Sequence, residues 1–275
     1  MLTTTTTRRV ALLAVMAAAA LFMVLPPVVM LLTAFTPQSQ ISQWPPSLFP
    51  HSLTLDNFRE IFGELPFGRM FGNSLLFAGG VTVLTLIFDS LAAYALARID
   101  FRGRRVLLLT LIATLMVPFQ ATLVPVYQLI IDLGWVNTFK GLIIPRATSV
   151  FGIYLLRQFF IALPRDLDNA ARIDGAGEFR VFWSVVLPNA KPALVTLALF
   201  SFVNNWNDML WPLVFTTKAD ATTVVSGLSL LTGASGTAPY GVMMAGSLIA
   251  TVPLVLVFLL FQRQFVEGVA TTGMK

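Results

Sequence analysis

Cysteine is absent from the 275-residue sequence, and histidine occurs once, at position 51. The absence of cysteine excludes disulfides, thiolate metal sites and cysteine nucleophiles. A catalytic triad or a zinc site of the common types needs imidazole, so either would have to be built around His51. This residue lies between Pro50 and Ser52 in a polar segment, and we interpret it as an ordinary exposed histidine. The sequence also lacks a G-x-x-x-x-G-K-[ST] loop, so we do not expect the chain itself to bind a nucleotide there.

Charged residues are scarce as well, at 11% of the chain against about 25% in an average soluble domain. Hydrophobic residues make up 56%, and the mean hydropathy is +0.80. A soluble protein of this size would have too few polar groups to cover so much apolar surface. The composition therefore excludes an ordinary soluble enzyme, a disordered chain and a disulfide-stapled secreted domain. It predicts a polytopic membrane protein.

Six apolar stretches predict the membrane spans, since a helix needs about 20 apolar residues to cross the hydrocarbon layer. They are residues 10–35, 73–97, 106–131, 141–163, 192–215 and 241–261. We expect the first to be an uncleaved span, because it is too long for the apolar region of a signal peptide. The predicted fold class is all-α, with six transmembrane helices. The predicted divisions are an N-terminus 1–9, a first span 10–35, an external loop 36–72, a core 73–262 with five spans, and a tail 263–275.

The distribution of basic residues predicts the orientation. With a cytoplasmic N-terminus and six spans, 13 of the 18 lysine and arginine residues fall on the cytoplasmic side and 5 on the other. Both termini are then cytoplasmic. The same bias accounts for the net charge of +5 and the pI near 10.0 without a nucleic-acid partner. A nucleic-acid patch would be contiguous, and these residues are not.

Two segments between the spans are long. Residues 36–72 are rich in proline and aromatics, and they predict a loop with a short helix near 55–62, where Asp56 could cap the start. Residues 164–191 form the predicted cytoplasmic loop. Pro164 suits the first turn of a helix, and a glycine such as Gly175 can take a positive φ and stop it.

An apolar stripe follows Gly175 at helical spacing, and it predicts a second short helix at an angle to the first. Its members are Phe179, Phe182, Trp183 and Val186, and Pro188 and Pro192 are expected to end it. Two hypotheses remain for this L-shaped pair: an amphipathic hairpin at the membrane interface, or a docking surface for another protein. The face formed by Leu167, Ala170, Ala171 and Asp174 favours docking, because bare alanine permits close approach and inserts poorly into lipid.

This loop resembles the E-A-A-x-x-x-G loop of ATP-binding-cassette (ABC) importer permeases, and the resemblance extends over nearly the whole chain. The matching blocks are Tyr94 to Arg98 with Phe101-Arg102-Gly103, Met116-Val117-Pro118, Ala171 to Ala176, Trp206-Asn207-Asp208, Trp211-Pro212-Leu213, and Phe265 to Gly268. Together they are similar to the carbohydrate branch, specifically to the second permease of maltose-type transporters. The resemblance implies a type I importer permease fold with a cytoplasmic coupling helix.

The same resemblance implies the partners. They are a second homologous permease, two cytoplasmic ATPase subunits, an external solute-binding protein or lipoprotein, a sugar, and the lipid of a bacterial or archaeal cytoplasmic membrane. ATP and magnesium would bind to the ATPases, so this chain needs no cofactor and catalyses no reaction. The coupling helix corresponds to about residues 165–174, with Gly175 as the elbow. The residues assigned to ATPase coupling are Pro164, Asp166, Asp168, Asn169, Ala170, Ala171, Asp174, Gly175, Ala176, Phe179, Phe182, Trp183 and Pro188.

The sequence departs from the family motif at Asn169, which stands where the motif has its glutamate. Two hypotheses remain. Either Asp166 or Asp168 supplies the negative charge for the ATPase, or Asn169 keeps a neutral hydrogen bond to it.

Polar residues within the predicted spans are candidates for a substrate path, because a carboxylate at mid-membrane usually faces the bundle or a cavity. Asn204, Asn207, Asp208 and Trp211 are predicted to share one helical face, where amides, a carboxylate and an indole suit a sugar. Weaker candidates on the third span are Gln120, Tyr127 and Gln128, and Asp89 is interpreted as structural. The alternative for the whole set is interhelical hydrogen bonding that holds the bundle together.

Three other functions remain as alternatives. An ABC permease for an amino acid or a phosphate compound is the nearest. An ion-coupled secondary transporter would commonly show inverted repeats, and we find no convincing repeat. An intramembrane enzyme is disfavoured by the single histidine and the absence of cysteine.

Overall fold

The structure is a computed structural model that describes residues 3–43, 49–233 and 239–272. Throughout these ranges it contains helices and turns and no β-strand, which confirms the predicted all-α class. The proline-rich stretch 44–48 and the ends 1–2 and 273–275 of the predicted terminal segments lie outside the described residues.

The described helices, in chain order, are α1 (Thr3–Ala34), α2 (Gln38–Ile41), α3 (Asp56–Glu64), α4 (Phe67–Arg98), α5 (Arg104–Thr114), α6 (Phe119–Asp132), α7 (Phe139–Ile143), α8 (Val150–Ala162), α9 (Arg165–Ile173), α10 (Glu178–Val181), α11 (Leu187–Asn189), α12 (Lys191–Trp206), α13 (Leu210–Phe215), α14 (Val224–Gly233) and α15 (Tyr240–Thr272). Short 3₁₀ turns lie at Ile144–Arg146 and Ala219–Ala221, and a π-helical turn at Phe182–Val186.

Three described helices are long and apolar enough to cross a membrane: Arg8–Ala34, Phe67–Arg98 and Tyr240–Gln262. Three bent helix pairs raise the number to six when each pair counts as one span. They are Arg104–Thr114 with Phe119–Asp132, bent by 97°, Phe139–Arg146 with Val150–Ala162, bent by 43°, and Glu178–Asn189 with Lys191–Trp206, bent by 80°. The predicted number of six spans therefore holds when each bent pair counts as one, and three of the six are then bent.

The third predicted span, 106–131, is interrupted at Leu115–Pro118. Proline disfavours the α conformation of the residue before it, here Val117, and Pro118 itself has ψ 135°, which is extended. The fifth predicted span, 192–215, is also interrupted, because α12 ends at Trp206 and α13 begins at Leu210.

Contacts within the chain divide it into two units. The first contains residues 1–67 and 228–252. Within it the buried Asn57 side-chain amide donates to the carbonyls of Ala34 and Thr36 at 3.0 and 2.9 Å, so α3 is fastened to the end of α1. Asp56 is the first residue of α3 and does not cap it, because its carboxylate accepts a hydrogen bond from Thr54.

Two boundaries of the predicted divisions also differ from the helices observed. Helix α4 begins at Phe67, so the segment predicted as the external loop 36–72 ends six residues earlier. Helix α15 continues to Thr272, through most of the segment predicted as a tail.

The second unit contains residues 68–227 and 253–275 and has two apolar clusters. One joins the C-terminal half of α4 to α8, α12 and the segment around Phe182. The other joins the N-terminal half of α4 to α6, α7 and α13. Helix α4 thus contributes to both clusters, and each of the two candidate sites described next lies beside one of them.

Candidate functional site

The loop at residues 164–191 contains the helix and the elbow that were predicted. Helix α9 runs from Arg165 to Ile173, directly after Pro164, and Gly175 has φ +82°. The backbone N–H groups of Gly175 and Ala176 donate to the carbonyls of Arg172 and Ala171, each at 3.0 Å. A glycine in the left-handed region allows these helix-terminating bonds with no steric cost.

One face of α9 is open to solvent. Its exposed side chains belong to Arg165, Asp166, Leu167, Asn169, Ala170, Arg172, Ile173 and, at the end of the helix, Asp174. Three of the four residues of the predicted small face are therefore exposed, and the fourth, Ala171, packs with Ala176 against the apolar cluster that α4 and α8 share. Ala171 is therefore a packing residue and Ala170 a surface residue.

Asp168 points inward, away from that open face. Its carboxylate forms an ion pair with the Arg98 guanidinium at 3.2 Å, and the two side chains are 3% and 2% exposed. Arg98 also donates to the carbonyl of Leu163 at 2.9 Å. The hypothesis that Asp168 supplies charge to an ATPase is wrong, since its carboxylate is buried within this chain. Asp166 remains the exposed acidic candidate.

Glu178, just beyond the elbow, ties α9 to α4. Its carboxylate accepts hydrogen bonds from the Tyr94 hydroxyl at 2.7 Å and from the Arg172 guanidinium at 2.9 Å. These two donors lower the pKa of the Glu178 carboxyl, the Arg172 hydrogen bond most. Arg172 also donates to the Asn169 side-chain oxygen at 3.4 Å, so Asn169 lies beside a cation of its own helix.

The predicted apolar stripe after the elbow is divided between core and surface. Phe182 and Val186 are buried, whereas Phe179 and Trp183 are 70% and 64% exposed. The π-helical turn at 182–186 adds a residue to the helical turn, so the i, i+3, i+4, i+7 positions no longer share one face. Pro188 lies inside α11 and does not end it; the chain turns after Asn189 instead.

A cavity of about 710 Å³ lies in the same unit, among α4, α6, α8, α12 and α13, and we call it the polar cavity. Four predicted path residues line it: Gln120, Asn204, Asp208 and Trp211. Other described polar residues of its wall are Thr85, Thr122, Arg146, Thr148, Ser149, Ser201 and Asn205. The bends before Phe119 and after Trp206 bring residues of different helices to one wall.

The predicted single helical face is wrong in detail, because α12 ends before the set is complete. Asn207 is the exposed residue that follows α12 and does not line the cavity. Asp208 lies in the break and accepts a hydrogen bond from the backbone N–H of Trp211 at 3.0 Å. Trp211 is 2% exposed, and its indole N–H donates to the carbonyl of Leu142 at 3.1 Å, so it forms the wall and offers little ring surface.

Tyr127 and Gln128, the weaker candidates on α6, are not among the residues that line the polar cavity. The Tyr127 ring packs against Phe215 at 5.5 Å between centroids. The interpretation of Tyr127 as a path residue therefore finds no support in its position.

Arg146 is the functional candidate that the sequence analysis missed. Its guanidinium forms an ion pair with Asp208 at 2.6 Å and lies 5.4 and 5.9 Å from the ring centroids of Trp211 and Phe119. Arg146 is one of the five basic residues that the predicted orientation assigns to the external side. The rule that a charge within an apolar stretch needs a partner would have pointed to Asp208.

Asp89 is fully buried directly behind the cavity wall. Its carboxylate accepts hydrogen bonds from the Thr148 hydroxyl at 2.6 Å and from the Ser149 backbone N–H at 3.1 Å. Ser149 in turn caps α8 by accepting from the Gly152 N–H at 2.9 Å. Asp89 is structural, as predicted, and it fixes the residues that begin α8. Among the described residues no group of three or more histidine, cysteine, aspartate or glutamate side chains could hold a metal ion.

Comparison with known proteins identifies the family. Residues 89–271 match the family described as binding-protein-dependent transport system inner membrane component. This chain belongs to that family. It is 38% identical over 248 residues to the arabinooligosaccharides transport system permease protein AraQ of Halalkalibacterium halodurans, a match that covers 89% of this chain and 88% of the relative.

Two other relatives of this permease transport different solutes, as their names state. The trehalose/maltose transport system permease protein MalG of Thermococcus litoralis is 37% identical, over 83% of this chain and 84% of the relative. The sn-glycerol-3-phosphate transport system permease protein UgpE of Brucella abortus is 34% identical, over 85% of this chain and 86% of the relative.

The permease also resembles a chain of a bacterial ABC transporter involved in the import of the acidic polysaccharide alginate. The TM-score is 0.82 and the identity 25%, and the match covers 93% of this chain and 95% of the other. The fold is that of an ABC importer permease, a membrane transport subunit.

Proposed function

We propose that this permease is the second membrane subunit of an ATP-driven, binding-protein-dependent sugar importer. The observation that carries the proposal is the placement of α4, which borders the polar cavity near Thr85 and holds the cytoplasmic loop through Tyr94 and Arg98. A substrate path and a docking surface for an ATPase are thus built on one helix. Two of the relatives above are named for sugar transport.

The exposed face of α9 is the proposed contact with a cytoplasmic ATPase. Asp166, Asn169 and Ala170 are exposed there, and Asn169 and Ala170 stand at the first two positions of the E-A-A-x-x-x-G motif. In the proposed cycle, ATP and magnesium bind to two such ATPases, whose closure draws the coupling helices together. The remaining partners are a homologous permease, which completes the path, and an external solute-binding protein, which delivers the sugar.

The proposed orientation places both termini and the 164–191 loop in the cytoplasm. It is supported by the excess of basic residues on that side. Arg146 is one of the five basic residues assigned to the other side. It is paired with Asp208 in the polar cavity, so its charge is not evidence for the orientation of a loop.

Reconstitution tests the proposal directly. This permease is co-expressed with the homologous permease, the ATPase and the solute-binding protein encoded beside it. The purified complex is then placed in proteoliposomes. We expect uptake of a radiolabelled neutral oligosaccharide that requires both ATP and the binding protein. An uptake that proceeds without ATP would contradict the proposal, as would a complex that imports no carbohydrate from a panel of arabino-, malto- and xylo-oligosaccharides.

A phosphorylated polyol is the second candidate substrate. The 34% identity to a glycerol-3-phosphate permease favours it. Adding sn-glycerol 3-phosphate to the uptake panel separates the two candidates.

A further inference from the structure

The charge of the polar cavity carries information about its substrate. Among the described residues that line it, Arg146 and Asp208 are the two that bear a charge, and they bear opposite charges. The other polar groups of the wall are hydroxyls and amides, including those of Gln120 and Asn204. The wall as described therefore has no net charge.

The two charges of this pair compensate each other. Arg146 Nη1 lies 2.6 Å from one oxygen of the Asp208 carboxylate, and the other Asp208 oxygen accepts from the Trp211 backbone N–H. The rings of Phe119 and Trp211 lie against the guanidinium. The two side chains are only 24% and 16% exposed, so the pair is held within the wall.

An anionic substrate gains little from this arrangement. A carboxylate or phosphate that binds another N–H of the Arg146 guanidinium also lies beside the Asp208 carboxylate, which already compensates that cation and repels the anion. Electrostatics at the polar cavity thus disfavours an anion, while hydroxyls and amides remain available to an uncharged polyol.

We infer that the Arg146–Asp208 pair keeps the polar cavity neutral and makes it selective for uncharged carbohydrates over uronates and sugar phosphates. The inference rests on the proposed function and narrows its substrate class. Arg146 and Asp208 are then specificity-determining residues, and they act by cancelling each other's charge. Arabino- and malto-oligosaccharides belong to the favoured class; glycerol phosphate and alginate do not.

The test compares ligand binding to the assembled transporter in nanodiscs, without the binding protein, so that the selectivity of the latter is removed. Saturation-transfer NMR, which detects weak ligands, is used with maltose, arabinobiose, digalacturonate and sn-glycerol 3-phosphate. The quantity is the ratio of acidic to neutral ligand bound. We expect the unmodified transporter to favour the neutral ligands, and a preference for an acidic one would overturn the inference.

Charge variants supply the second arm. Asp208→Asn leaves Arg146 uncompensated and should raise the acidic-to-neutral ratio about tenfold, as expected for one close charge. Arg146→Gln should lower it, and the double variant, again neutral, should return the ratio to about its original value. The control is Asp220→Asn, which leaves the exposed partner Arg69 unpaired outside the cavity and should not change the ratio.

Two further variants change the cavity charge but leave Arg146 and Asp208 in place. They test the inference if a variant of the pair itself fails to assemble. Gln120→Lys and Asn204→Asp place a charge at exposed positions of the wall and should raise and lower the ratio, respectively. If the pair were purely structural, Asp208→Asn would weaken the binding of acidic and neutral ligands equally. The ratio of acidic to neutral ligand bound would then be unchanged. That result, together with an unchanged ratio in Gln120→Lys, would refute the inference while ATP-dependent sugar uptake still supports the proposed function.

Discussion

Asp168 and Asn169 are neighbours in α9, yet their side chains have opposite surroundings. Asp168 is buried against Arg98, whereas Asn169 is exposed beside Arg172. Of the two aspartates considered for the ATPase contact, Asp168 therefore holds the loop in place and Asp166 is open to a partner.

The substitution Asn169→Glu should be tolerated. The new carboxylate would be exposed and three residues before Arg172, a spacing that favours an ion pair worth about 0.2–0.5 kcal/mol. At low salt, we expect the ATPase subunit to bind the Asn169→Glu variant with an affinity equal to or higher than its affinity for the unmodified permease. Any gain in affinity should decline as the salt concentration rises. Asp166→Ala should weaken binding, and Asp56→Ala, outside the loop, is the control. Loss of assembly in the Glu variant with normal assembly in Asp166→Ala would contradict this account.

Gly152→Ala should destabilise the second unit. A Cβ at this position would collide with the Asp89 carboxylate and lie 2.8 Å from Leu197 Cδ1, so the carboxylate would lose its place at the start of α8. Overpacking of this kind costs about 1–3 kcal/mol. The thermal unfolding midpoint of the purified complex should fall, whereas Gly79→Ala, where a Cβ meets nothing within 4 Å, should not lower it. Equal midpoints for the two variants would show that α8 can move to accept the methyl group.

At the scale of elements, α9 is fastened to α4 at two points. Arg98 binds Asp168 and the Leu163 carbonyl on one side of the helix, and Tyr94 binds Glu178 beyond the elbow. Helix α8 runs from the cavity to the start of this loop and is itself held to α4, because Arg157 donates to the Leu96 carbonyl at 3.2 Å. A displacement of α9 by an ATPase would therefore be transmitted to both α4 and α8.

Removing one member of the buried pair should uncouple the loop from α4. Arg98→Met leaves the Asp168 carboxylate buried without its cation, a loss of about 3–5 kcal/mol in comparable pairs. We expect assembly with the ATPase to persist at reduced yield, ATP hydrolysis to continue, and sugar uptake per ATP to fall. The double variant Arg98→Met/Asp168→Leu removes both charges and should recover the yield without recovering the uptake ratio. Full recovery of uptake would show that an apolar contact transmits the motion equally well.

The elbow offers a matched comparison between two glycines. Gly175→Val places a β-branched residue at φ +82°, and the left-handed region costs about 1–2 kcal/mol for residues with a side chain. Gly177→Val is the control, because Gly177 has φ −73° and a Cβ there meets nothing within 4 Å. Vesicle uptake should fall in the first variant and persist in the second. If both variants transport normally, α9 is not oriented by the elbow.

At the scale of the whole molecule, much of the described apolar surface has no partner among the described residues. The apolar window of the span Arg8–Ala34 is 0% buried and that of Tyr240–Gln262 is 17% buried. On the loop at residues 164–191, Ile173 and Phe179 are 87% and 70% exposed. Lipid can cover the spans, whereas the loop residues require a protein partner or the membrane interface.

The chain should consequently purify as part of a larger complex. We expect affinity capture of the permease to recover a second permease and two ATPase subunits in fixed ratio, measured by native mass spectrometry. Capture of the Asp166→Ala variant should recover less ATPase and the same amount of permease. A transport-competent homodimer without an ATPase would contradict the proposed assembly.

How much the sequence predicts depends on whether a feature is local. The class, the six apolar stretches, α9 and the elbow at Gly175 follow from composition, periodicity and turn chemistry, and all are present. The bends at Pro118 and after Trp206 were missed because hydropathy averages over a break of a few residues. The pairs Arg98–Asp168 and Arg146–Asp208 join residues 70 and 62 positions apart, and a single sequence contains no information on which distant charges meet.

The buried Arg98–Asp168 pair also imposes an order on synthesis. Arg98 leaves the ribosome 70 residues before Asp168, with two predicted spans in between, so its guanidinium is uncompensated while those spans insert. The nascent chain therefore cannot complete the packing at the C-terminal end of α4 until the loop at 164–178 has emerged. A chain truncated before residue 168 would keep the Arg98 guanidinium without the carboxylate that pairs with it in the folded protein.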